Sequence, residues 1–141
     1  MRVSSYAVAR PNYYDRNATS VRNRYNAAVA PAGFTTRWSA TVAAGKKAYV
    51  DQAVAWINTT SLPTVANYAR GYIETTDGTT SVIVCVAQMF TSLTVSTSNV
   101  DKATTSITLY SGFVIQSLTA DGSTGGTIQY LLDAQYTQFD N

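Results

Sequence analysis

Hydrophobic and polar positions along the chain fall into two regimes. Up to residue 33 no period holds for long. Tyr6, Tyr13, Tyr14 and Tyr25 are scattered among Arg and Asn, Pro11 and Pro31 interrupt, and residues 27–33 (AAVAPAG) read as a linker. A short helix over residues 16–28 is open, because Asn17 or Thr19 could cap it. From residue 34 onward, alternation takes over, the period of a strand half-buried on a sheet. Residues 34–42 alternate around Trp38 and Ala40, and residues 43–46 (AAGK) turn the chain. Residues 48–57 put Val50, Val54 and Trp56 on one face and Asp51 on the other. Val50, Val54 and Ile57 also fit the helical period, so a helix over 47–57 competes, and the neighbouring strands favour the strand.

Residues 64–75 form the next expected strand, with Tyr68 and Tyr72 on one face, and Asp77-Gly78 is a hairpin signal. Residues 81–90 (SVIVCVAQMF) are apolar on both faces and predict a central strand. Residues 93–98 and 104–110 alternate on either side of an expected turn at 99–102. Residues 113–119 follow, then a glycine-rich turn at 121–126 (DGSTGG), and residues 127–139 close the chain as a long strand. About eight short strands predict an all-β fold: an antiparallel β-sandwich, jelly-roll-like, over residues 34–141. Residues 1–33 are then an extended N-terminal arm.

Charge sharpens that division. Arg2, Arg10, Arg16, Arg22 and Arg24 are opposed only by Asp15 before Tyr25, a net charge of +4. The remainder sets five cations against seven acids, a net charge of −2. Such polarity marks an interaction tail on a globular body. Arg with Tyr is the composition of interface anchors. The expected partner-binding residues are therefore Tyr6, Arg10, Tyr13, Tyr14, Arg16, Arg22, Arg24 and Tyr25.

Ordering about thirty residues costs roughly 45 kcal/mol, at about 1.5 kcal/mol each. Offsetting that takes on the order of 1,800 Å² of buried apolar surface at ~25 cal/mol per Å². Exposed ion pairs contribute ~0–1 kcal/mol each, so charge steers such an arm while Tyr and apolar burial hold it.

Composition removes most chemistry. The chain has no His, which takes away the commonest general base and the commonest zinc ligand. Its single Cys, Cys85, lies in the apolar run 81–90 and reads as a buried inert thiol. Glu74 is the only Glu, and Asp51, Asp101, Asp121, Asp133 and Asp140 are expected in turns or on outer faces, not converging as a glycosidase pair would. The 121–126 loop has one carboxylate where a calcium loop has several. No enzyme activity, metal or cofactor is expected. Five Arg interleaved with Tyr could hold nucleic acid, but the body has no basic face and no recognition signature, so nucleic acid is disfavoured. No apolar stretch reaches the ~20 residues of a membrane-spanning helix, so no membrane partner is expected. Met1-Arg2 is followed by no apolar run, so no signal peptide is expected.

The segment RWSATVAAGKKAYV (37–50) is similar to a strand–AGK–strand opening of phage virion β-domains, and the closing 121–126 turn, strand and Gln138-Phe139-Asp140 extend the likeness. In layout the chain resembles a capsid decoration (cement) protein of a tailed bacteriophage. The resemblance implies a virion structural protein on the outer capsid surface. Its partner would be the major capsid protein, its form a homotrimer, and its terminal arm would lie across the shell. The alternative is a phage tail, fibre or host-glycan-recognition β-domain, with Tyr68, Tyr72, Tyr110 and Tyr130 stacking on sugars.

Overall fold

A computed structural model describes residues 17–89, 98–103 and 107–141. Among them there is no helix, and so none long and apolar enough to cross a membrane. The strands are β1 (Thr19–Val29), β2 (Thr35–Thr41), β3 (Lys46–Ser61), β4 (Ala69–Thr76), β5 (Ser81–Met89), β6 (Ser98–Ala103), β7 (Thr108–Leu109), β8 (Val114–Asp121) and β9 (Thr127–Asp140). They form two antiparallel sheets. The larger runs β1-β9-β3-β6, with β7 also on β3, and the smaller runs β2-β8-β4-β5. The chain is thus a rolled-up antiparallel ribbon: β4 pairs with β5, β3 with β6 and β7, β2 with β8, and β1 with β9. That strand order is a jelly roll, as expected.

Alternation builds the core. On β3, Ala48, Val50, Ala53, Ala55 and Ile57 are buried, and on β9, Ile128, Tyr130, Leu132, Ala134 and Tyr136. A bulge between Val50 and Gln52, where Asp51 sits, keeps β3 in phase with β9 on both sides of it. The helix that competed for 47–57 is excluded by this pairing. Small residues face large ones: a Cβ on Gly71 of β4 would lie 2.9 Å from Tyr130 and 3.1 Å from Leu132. Trp38 on β2 reaches across the sandwich, its indole N–H donating to the Leu132 carbonyl at 3.0 Å.

Four expectations need correction. The division at residue 33 does not follow the strands, because β1 is an edge strand of the larger sheet, paired along its whole length with β9. The short helix considered for 16–28 is this strand. The expected turn at 99–102 is β6, paired with β3. The run 81–90 is not central: β5 ends the smaller sheet, with Val82 52% and Ile83 47% exposed. Its outer edge is closed farther along by β6 side chains. Val86 N–H donates to Asp101 at 2.9 Å, and Gln88 N–H to Asn99 at 3.1 Å. Residues 64–68 precede β4 as a connection, bridged to the 121–126 turn by Val65 and Thr124. The expected strand at 93–98 falls almost wholly outside the described residues.

Candidate functional site

The predicted partner-binding residues divide. Tyr6, Arg10, Tyr13, Tyr14 and Arg16 lie outside the described residues. Arg22, Arg24 and Tyr25 lie on β1, whose period-two pattern sorts them. Val21, Asn23, Tyr25, Ala27 and Val29 point inward and are half-buried, while Arg22, Arg24, Asn26 and Ala28 face outward. Tyr25 packs against the chain's own core, with the Arg37 guanidinium 5.0 Å over its ring. It ties β1 to the body and is not displayed on the outer face. Arg22 forks onto Asp133 of β9: its Nε donates to Oδ1 at 3.0 Å and its terminal nitrogen to Oδ2. That hydrogen-bonded carboxylate raises the Arg22 pKa. Asn26 accepts from Gln129 at 2.6 Å.

The point where the N-terminal segment joins the sandwich is clamped. Asn17 adopts φ 52°, in the left-handed region that Asn tolerates. Its side-chain amide donates to Asp140 Oδ2 at 2.9 Å, and Lys46 Nζ donates to Asp140 Oδ1. The Lys46 hydrogen bond first, and then that of Asn17, lower the Asp140 pKa. The beginning of β1, the beginning of β3 and the end of β9 therefore meet at one carboxylate.

Among the described residues no three acidic or cysteine side chains converge as they would to hold a metal ion. Asp51, Asp101, Asp133 and Asp140 lie within strands, and Asp121 ends β8 where the 121–126 turn begins. Asp51 accepts from Thr137 at 2.7 Å, and Glu74 from Gln116 at 2.8 Å. Asp121, nearly buried, spends Oδ1 on the Ser123 N–H at 2.8 Å, as a turn-forming Asp does. Cys85 is buried, and burial first, with Asp101 second, pushes its thiol up to about 12, where it is not a nucleophile at neutral pH. Of the tyrosines proposed to stack on sugars, Tyr72 and Tyr130 are buried and only Tyr68 and Tyr110 are exposed.

The sequence reading missed a cleft of about 440 Å³ at one end of the smaller sheet. Phe34, Asn67, Tyr68, Ala69, Arg70 and Gln88 line it. The available signal was Arg70 itself, set two residues from Tyr68 and two from Tyr72.

No family model and no curated protein matches the chain. Several solved structures do. One is that of infectious bursal disease virus Gt strain, at 15% identity and TM-score 0.47, covering 87% of this chain and 33% of that one. A Desmodium yellow mottle tymovirus structure matches at 11% identity and TM-score 0.41, covering 95% of this chain and 90% of that one. Eiger TNF from S. frugiperda matches at 10% identity and TM-score 0.34, covering 67% and 60%. The chain spans about a third of the length of the bursal disease virus chain. At these TM-scores the function has to be read from the chain's own residues.

Proposed function

We propose that this chain is a virion structural protein without enzymatic activity. In this reading it docks on the outer surface of a bacteriophage capsid and stabilises it, with the major capsid protein as partner. The observation that carries the proposal is a jelly roll whose clamped edge strand is preceded in the chain by a basic, Tyr-bearing N-terminal segment. Jelly rolls are a recurrent architecture of viral capsid domains, though they also serve lectins and cupins. β1 relieves part of the ordering cost, because residues 19–29 are held by the body's own sheet before any partner is met. The shell contacts of this reading then fall to the residues before Asn17. A homotrimer belongs to the same reading, since the exposed Val82 and Ile83 at the edge of β5 would be covered by a neighbouring subunit.

The test is removal of residues 1–16, which spares β1. The truncated protein is expected to keep the thermal midpoint of the full chain and to lose binding to purified capsids. Undiminished decoration by the truncated protein would refute the tether.

A further inference from the structure

We infer that the cleft at the end of the smaller sheet is a binding site for a carboxylated saccharide. It lies away from the N-terminal clamp and stands independently of capsid docking.

The cleft is built around Arg70. The Arg70 guanidinium carbon lies 5.5 Å from the Phe34 ring centroid and 4.9 Å from that of Tyr72. Two aromatic rings thus lie against the guanidinium of a half-buried Arg70. Every described acid is already committed elsewhere. Asp133 pairs with Arg22 and Asp140 with Lys46. Asp51 and Glu74 accept from side chains, and Asp77, Asp101 and Asp121 from backbone N–H groups. Among the described residues Arg70 has no carboxylate partner. Its in-plane donors suit the two oxygens of an external carboxylate.

The rest of the lining favours a sugar as the bearer of that carboxylate. Phe34 is 62% and Tyr68 37% exposed, so two aromatic rings stand open beside the charge. Such rings stack on the C–H faces of a pyranose. Gln88, the register partner of Arg70, is exposed and adds an amide. The volume falls within the ~300–1,000 Å³ of small-molecule sites. A peptide would most simply add a strand to the β5 edge, but there the Val86 and Gln88 N–H groups are already taken by Asp101 and Asn99.

The walls are fixed before any ligand arrives. Asn67 N–H donates to Ser123 Oγ at 3.0 Å, the Asn67 amide to the Gly122 carbonyl at 3.3 Å, and Gly122 N–H to the Tyr68 carbonyl at 2.9 Å. Asp121 N–H donates to the Ala32 carbonyl at 2.9 Å, which fixes the segment leading to Phe34. Gly122 leaves room for the Tyr68 ring, since a Cβ there would lie 2.6 Å from it.

The experiment is a titration of the full chain followed through its aromatic NMR signals. Cellobiuronic acid and cellobiose serve as probes, because they differ only by a carboxylate in place of a hydroxymethyl group. The acid is expected to shift the Phe34 and Tyr68 signals saturably, at concentrations at least about tenfold below those the neutral sugar requires. Arg70→Gln is expected to bring the two sugars within about twofold of each other. Phe34→Ala, at an exposed position, is expected to weaken both and to keep the preference. If Arg70→Gln fails to fold, Arg70→Lys together with Phe34→Ala carries the comparison. Absence of saturable shifts with the acid, or a preference untouched by Arg70 replacement, overturns the site. If acetyl-Asp-Asp displaces the acid and binds as tightly, the ligand is a peptide and the saccharide assignment fails.

Discussion

Trp38 and Leu132 join the two sheets by a hydrogen bond, the indole N–H of β2 donating to a main-chain carbonyl of β9 at 3.0 Å. Most contact between the layers of a sandwich is apolar and lacks direction. This bond has direction, and it sets the smaller sheet over Leu132, which is itself fully buried. Trp38→Phe keeps a ring but removes the donor. It should cost about 1–2 kcal/mol in equilibrium unfolding by denaturant, from the lost bond and the smaller volume together.

Gly126 is the least replaceable of the turn glycines. It adopts φ 79°, and an added Cβ would lie 2.6 Å from Pro63 N, 2.7 Å from the Ser61 carbonyl oxygen and 2.8 Å from the Leu62 carbonyl carbon. All three are backbone atoms, so relief requires moving the strand ends. Gly112 has φ 87° but nothing within 4 Å of its Cβ position. Gly112→Ala should therefore cost only its backbone strain, about 1–2 kcal/mol. Gly126→Ala should cost about 3 kcal/mol or more. Parallel urea titrations would separate the two.

The Asp140 clamp predicts an acid limb in stability. Lys46 and Asn17 lower the pKa of Asp140 in the folded chain. Its contribution is therefore complete above the unfolded-state value and is lost as pH falls through the lower, folded-state value. Asp77 acts in the same direction, its carboxylate held by the N–H groups of Thr80 and Thr79. Denaturation midpoints should fall as the pH drops through and below the ordinary carboxylate range. Asp140→Asn should lower stability slightly at neutral pH and flatten that fall. Both carboxylates are exposed, so added salt should shrink the effect.

Much of the fold was legible because inward and outward positions alternate on β8 and β9; on β3 the bulge at Asp51 reverses the phase, so Val50 faces the core while Val54 and Trp56, expected on the same face, lie opposite the buried Ala53, Ala55 and Ile57. The failures have physical causes. On β6 the pattern is inverted: Asn99 and Asp101 turn their side chains to β5 and close its edge, while Val100 is 54% exposed. Polar residues used as edge caps read as a turn. On β5, Val82 and Ile83 imitate a central strand because nothing local tells a covered apolar face from an open one. On β1 the period is present, since Val21, Tyr25 and Val29 share one face and Arg22 and Arg24 the other, but the same Arg–Tyr composition also fits an unpaired interaction tail. The cleft was hidden because Phe34, Tyr68 and Arg70 come together only through pairing of distant strands.

Separating Tyr25 from Tyr13 and Tyr14 is the most discriminating prediction. All three carried the same expectation as partner anchors. The structure turns Tyr25 inward, half-buried against the core beneath Arg37. Tyr25→Ala should cost about 2 kcal/mol of the chain's own stability through lost apolar burial. Any loss of capsid binding it causes should disappear at temperatures where the variant remains folded. Tyr13→Ala with Tyr14→Ala should leave the thermal midpoint unchanged and weaken capsid binding. Charge contributes to a different quantity: Arg10→Gln with Arg16→Gln should slow association at low salt more than it speeds release. Surface-plasmon measurement of both rates, beside a thermal melt of each variant, would check all three outcomes. If Tyr13 and Tyr14 can be replaced with no change in either rate, burial of aromatic residues does not hold the segment, and the proposed tether loses its physical basis.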